Sequence, residues 1–214
     1  MTSTGMTPEI SKVVKGGEVR LDNRTENSGG RSAIDDYGRV LAMSPASISL
    51  HKTRHLLSHV LVVAGSRRWP QTTLGDSGET ETGFYADFGL SVALDESELA
   101  TLNDEMARVL HDFKSFRDLQ LTPEQALKVF GNHPWKLHQV AAIAEVEARI
   151  GCFELDGVID VCDCALKSPG ELRAVHPEKF LLTGSHPVVW SHRGKDSPFV
   201  RITGELFPAP AHCE

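Results

Sequence analysis

An α+β fold, with helices packed on an antiparallel sheet, is predicted for this chain of 214 residues from three features. Segments of helical period cluster early and extended segments cluster late; neither regular strand–helix alternation nor a glycine-rich phosphate loop is visible, which disfavours a doubly wound parallel sheet. With 40% apolar residues, one principal core is expected.

Residues 1–40 read as a mobile extension, because the stretch NRTENSGGRS and its neighbours bury too little side chain to offset ordering entropy. Within it, Glu18–Leu21 could pair as a strand. YGRVLAM, 37–43, reads as the first strand of the domain proper, and a helix is expected from about Ser49 to Ala64. That helix carries His51, His55 and His59 over an arc of about 80°, roughly opposite Leu56, Leu57, Val60, Leu61 and Ala64. The histidines therefore face water or line something.

GFYADFGLSVAL, 83–94, has the aromatic and β-branched content of a strand. A helix follows, opened by Asp95 and Glu98 as a capping box, with Leu94 and Leu99 as a staple. LTPEQALKVF starts another, where Thr122 caps, Pro123 takes the first turn and Gln125 closes the box. A third helical segment spans Trp135 to Ala144. ARIGCFELDGVIDVC then reads as a hairpin turning at Asp156 and Gly157, and FLLTGSHPVVWS and FVRITGELF continue in strand.

The formal net charge of −7 does not suit a broad grip on nucleic acid backbone, so any such contact should be local. Four cysteines without scaffold spacing and an amino terminus without an apolar signal core point to a reducing cytoplasm. No run approaches the roughly 20 apolar residues that span a bilayer.

Asp160 and Cys162 alternate onto one sheet face. Either Cys162 is a small core residue and Asp160 a strand-end acid, or the two join His51 and His55 in a polar cluster. Two histidines at i and i+4 with a distant cysteine are also a possible zinc set: His51, His55 and Cys162, with Cys164 as fourth ligand. Three ligands and water would be an open, catalytic arrangement.

The blocks HKTRHLLSHVL, GFYADF, LDESELATLNDEM, LTPEQALKVF, PWKL, DVC, GEL and the closing FLLTGSHPVVWSHRGKDSPFVRITGELF resemble, in order, the editing domain of threonyl-tRNA synthetase, which is shared with the alanyl enzyme. The resemblance covers about residues 45–209, so the domain is placed at 41–209 with a tail at 210–214. It implies a free-standing, trans-acting aminoacyl-tRNA deacylase that hydrolyses mischarged threonine tRNA at the 3′ aminoacyl-adenosine end. Serine is the family's usual target. A separate copy suggests an analogue such as a halogenated threonine.

The resemblance carries the family's pocket onto His51, His55, Lys136 and Asp160 as catalytic residues, and onto Tyr85 and Cys162 as substrate-binding ones. It implies water handling by His51 or His55, charge stabilisation or ribose positioning by Lys136, and capture of the α-ammonium or side-chain hydroxyl by Asp160. His59 is read as peripheral. Leu166 stands where the family's CxxxH element ends in histidine, so no cofactor is required, although zinc is allowed. Arg67, Arg68 and residues 191–195 are candidates for tRNA phosphates or plain surface. Two other readings stay open: a non-catalytic binder of charged tRNA or of a synthetase, and a zinc hydrolase or acyl transferase acting on a small molecule.

Overall fold

The structure, a computed structural model, describes residues 45–162, 169–176, 179–192 and 195–207. The expected extension over 1–40, the strand at 37–43, Cys164, Leu166 and the tail lie outside them.

Helix α1, Pro45–Arg68, is the element around which the others are laid. It begins before Ser49 and runs past Ala64, because nothing in SPAS or GSRR breaks it. Every residue from Leu56 to Ala64 is buried, the side chains of Ser58 and His59 included. A helix enclosed all round needs partners on every side. It finds them in β1 (Leu74–Glu79), β2 (Gly83–Phe88), α2 (Glu96–Asp112) and β5 (Val158–Val161). Of the two readings of the histidine face, open to water or lining something, His59 takes the second: it is not peripheral but faces a buried carboxylate.

Strands β1 and β2 join β7 (Lys195–Leu206) and β6 (Phe180–His192) in an antiparallel sheet of order β1-β2-β7-β6. Alternation sends Phe84, Ala86 and Phe88 of β2, with Val200 and Ile202 opposite them, into the main core beside α1. Tyr85 and Asp87 take the other face. The extended segment stops at Phe88, short of the expected Leu94, where the Leu90 N–H turns back to the Phe88 carbonyl.

Strands β3 (Phe116–Leu121), β4 (Ile150–Leu155) and β5 form a second antiparallel sheet. Helices α3 (Pro123–Val129) and α4 (Pro134–Ala144) pack on each other, and a smaller core gathers Ala126, Phe130, Val140, Ile150 and Cys152. Both expected capping boxes form, at Asp95 with Glu98 and at Thr122 with Gln125. The β4–β5 turn falls at Asp156 and Gly157, with φ of 49° and 84°. A short helix α5, Pro169–Arg173, precedes β6. The class is α+β, as expected. No helix among the described residues is long and apolar enough to cross a membrane.

Candidate functional site

Helix α1, strands β1 and β5, and helix α4 deliver their polar side chains to one place. Successive turns of α1 supply His51, His55 and His59; alternation along β1 turns Ser77 and Glu79 towards α1; Asp160 comes from β5; and Lys136 sits in the first turn of α4.

The contacts form a chain. Glu79 Oε2 lies 3.1 Å from His55 Nδ1, His55 Nε2 lies 3.2 Å from His59 Nε2, and His59 Nδ1 lies 3.0 Å from Asp160 Oδ2. Asp160 Oδ1 lies 2.6 Å from Lys136 Nζ. The Ser77 hydroxyl donates to Asp160 Oδ2 at 2.9 Å and the Val161 N–H to Oδ1 at 2.9 Å, so this carboxylate has four donors for its four acceptor positions. Cys162 Sγ is 3.2 Å from His55 Nε2. The His59 ring stacks on Phe153 with centroids 4.9 Å apart.

His59, Lys136 and Asp160 are at most 2% exposed, and a buried charge survives only when paired. Burial by itself raises the Asp160 carboxyl, yet the ammonium of Lys136 and the hydrogen bond from His59 hold it well below the usual carboxylate range. Burial likewise opposes the Glu79 carboxylate, and the hydrogen bond and charge of His55, with His51 beyond, bring it down to about 2. Two ionised acids therefore brace the imidazoles from either end.

His51 occupies the rim. Its Nδ1 is 3.5 Å from Glu79 Oε1, and its side chain keeps 18% of its surface exposed. Its ring thus shares the carboxylate that steadies His55 while still meeting solvent.

Tyr85 belongs to an adjoining network. It pairs across the sheet with Gly78, on the face away from Ser77 and Glu79, and donates to Asp76 Oδ2 at 2.8 Å. Gln139 Nε2 donates to the other Asp76 oxygen at 2.8 Å, and the Arg201 guanidinium stacks 4.0 Å from the Tyr85 ring centroid. Burial and the Asp76 charge push the phenol up, so the hydroxyl keeps its proton and remains a donor. Arg201 in turn makes two bonds to Asp87, at 2.7 and 2.8 Å. Tyr85, expected in the same pocket, thus lies on the other face of the sheet, in a network that draws on β1 and α4, the elements that also carry Glu79 and Lys136.

Of the residues expected at the site, His51, His55, Lys136, Asp160 and Cys162 are brought together. His59, expected at the periphery, lies at the centre. Glu79, Ser77 and Asp76 were missed because LGDSGE has a composition depleted in strands and its acids read as loop. Arg67, a candidate for phosphate contact, is engaged with Asp156 at 2.7 Å and Glu105 at 3.2 Å, whereas Arg68 is exposed. His55, His59 and Cys162 each offer a ligand atom within 4.8 Å of the others, a donor set that suits zinc.

No protein-family model matches the chain. It is 30% identical over 155 residues to a threonine–tRNA ligase of Clostridium botulinum (strain Alaska E43 / Type E3), covering 72% of this chain and 23% of that protein. With the threonine–tRNA ligase of Borrelia garinii subsp. bavariensis it shares 27% identity over 160 residues, 74% of this chain and 27% of the relative. The Clostridium perfringens (strain SM101 / Type A) enzyme shares 27% over 165 residues, 77% of this chain and 25% of its own length. The chain thus spans about a quarter of the length of the curated relatives it matches, and the resemblance to part of a threonyl-tRNA synthetase holds over most of this chain.

Proposed function

From this similarity to threonine–tRNA ligases we propose that the chain is an aminoacyl-tRNA deacylase, acting in trans on threonine tRNA charged with the wrong amino acid, serine or a threonine analogue such as a halogenated threonine. The observation that carries the reading is the hydrogen-bonded run from Glu79 through His55, His59 and Asp160 to Lys136, half-buried at its Glu79 end and buried at its Lys136 end, with His51 beside Glu79.

Hydrolysis of the ester between an amino acid and ribose needs an oriented water, a proton acceptor and a geometry that does not relax during reaction. His51 is the acceptor in this reading. Its side chain keeps 18% of its surface exposed, much as His55 keeps 19%, but it stands one turn beyond the His55–His59 contact, and Glu79 offsets the positive charge it gains. Lys136 and Asp160 are positioning residues, since the acceptor positions of Asp160 are filled from within the protein and Lys136 is buried against it. That departs from the capture of the substrate's α-ammonium that the resemblance implied for Asp160. Discrimination by one methyl group is worth only about 1–3 kcal/mol, so a second, hydrolytic sieve has a purpose.

The test is to incubate the purified chain with threonine tRNA charged by a separate enzyme with serine, threonine or a halogenated threonine, and to follow ester loss. Expected is rapid loss of serine or the analogue with threonine retained. No hydrolysis of any ester overturns the proposal. His51→Ala should slow the reaction about 10²–10⁴-fold with an unchanged circular dichroism spectrum; an unchanged rate removes His51 from the role.

A further inference from the structure

We infer that Arg54 grips a phosphodiester of the substrate, the one that joins the terminal, aminoacyl-bearing nucleoside to the rest of the tRNA. The identity of the ligand rests on the deacylase reading; the choice of residue rests on the geometry around Arg54.

Arg54 follows His51 by three residues on α1, so their Cβ atoms are neighbours on the helix surface, about 5–6 Å apart. Its guanidinium reaches the turn between β1 and β2, where Nη1 donates to the carbonyl of Thr80 at 3.1 Å and to that of Glu81. Those carbonyls come directly after Glu79, whose two carboxylate oxygens meet His51 and His55. The turn is itself closed: the Thr80 N–H donates to the Gly83 carbonyl at 2.8 Å, and the Gly83 N–H to the Thr80 hydroxyl at 2.9 Å. One nitrogen of Arg54 is thus fixed by backbone beside the imidazole proposed to take the proton.

The other two nitrogens are uncommitted. Nε and Nη2 make no hydrogen bond among the described residues, and neither is a buried atom, so both meet solvent. Arg54 also forms no ion pair among those residues, whereas Arg67, Arg117 and Arg201 each meet a carboxylate. Glu79 is turned to the imidazoles, and Glu81, though near, is exposed. A guanidinium carries five N–H donors in a planar fork. With Nη1 given to carbonyls, the parallel N–H groups of Nε and Nη2 remain, and they match two oxygens of a phosphate. Neutral carbonyls orient the group without cancelling its charge, as a carboxylate partner would.

The placement suits the substrate. In an aminoacyl-tRNA the phosphodiester of the terminal nucleoside lies across a single ribose from the ester, and Arg54 lies about one helical turn from His51. A chain of net charge −7 has little general attraction for a polyphosphate, so one oriented arginine supplies the local contact that such a surface permits. A phosphate contact of this kind sets the register of the ester and does not choose the amino acid.

The experiment uses the full chain in two assays. In the first, hydrolysis of serine esterified to threonine tRNA is compared with hydrolysis of seryl-adenosine, which lacks the phosphodiester. In the second, fluorescence anisotropy follows binding of a minihelix that carries serine through a non-hydrolysable amide, between about 50 and 200 mM salt. Arg54→Gln should raise Kd about tenfold, flatten the log–log salt slope by about 0.7, and lower kcat/KM about tenfold more on the tRNA ester than on seryl-adenosine. A minihelix with a neutral methylphosphonate at that linkage should cost the wild-type chain the same factor and cost Arg54→Gln little more. Equal losses on both esters with an unchanged slope would assign Arg54 to holding the turn and overturn the contact. So would a wild-type chain that binds the methylphosphonate and the natural minihelix alike, even if Arg54→Gln does not fold, or one that binds neither. Arg54-dependent binding without hydrolysis of any ester would keep the contact and reject the deacylase reading.

Discussion

At the scale of the residue, Lys136 and Asp160 show how a buried charge is made tolerable. The ammonium is 2.6 Å from the carboxylate, and Ser77, His59 and the Val161 N–H fill the other acceptor positions. Removing one partner strands the other without water, so Lys136→Met should cost about 3–5 kcal/mol in urea denaturation. Adding Asp160→Asn to it should recover part of that loss; a double variant less stable than Lys136→Met alone would show that the ammonium is not what the carboxylate depends on. Which residues would be charged was legible in the sequence. That Lys136 is not a surface lysine was not, since burial of a lysine depends on a carboxylate 24 residues away reaching the same spot.

Among the elements, α1 and the β4–β5 hairpin carry the sharpest constraints. Gly65 lets α1 lie against β2: a Cβ there would sit 2.3 Å from the ring of Phe88, which is fully buried and cannot swing aside. Gly65→Ala should therefore destabilise by about 1–3 kcal/mol, an overpacking cost visible as a lower denaturation midpoint. An unchanged midpoint would mean that the helix can slide. In the hairpin, Asp156 accepts from the N–H groups of Lys114 and Ser115 and pairs with Arg67. Burial alone would raise its carboxyl, but those bonds outweigh it and the net shift is downward. A lowered carboxylate contributes stability that is complete above its unfolded value, near 4, and is lost as the pH falls below it. Asp156→Asn keeps a residue that tolerates positive φ, so its cost of about 1 kcal/mol at pH 7 should shrink progressively as the pH falls below about 4. A cost that persists there would assign it to shape rather than charge.

For the whole molecule, a formal net charge of −7 sets how tRNA is met. A negative surface gives little purchase on a polyphosphate, and Arg67 is already spent within the protein. Contact confined to the aminoacyl end follows from the proposed function. A charged minihelix should then be hydrolysed within about tenfold of full-length tRNA, with a log–log salt slope smaller than about 3 in magnitude. A steep slope, or an inert minihelix, would place recognition elsewhere on the tRNA.

What the sequence determined by itself was local. Capping boxes at Asp95 and Thr122, the Asp156–Gly157 turn and the strand pair near the carboxyl end depend on neighbours a few residues away, and they stand where their spacing put them. The α+β class followed from their order. Tertiary structure alone decided that α1 is enclosed, that LGDSGE is a strand, and that His59 rather than His51 sits at the centre. The reason is physical: an imidazole goes into the interior only where a carboxylate from a distant strand balances its desolvation, and that balance is struck 101 residues away at Asp160.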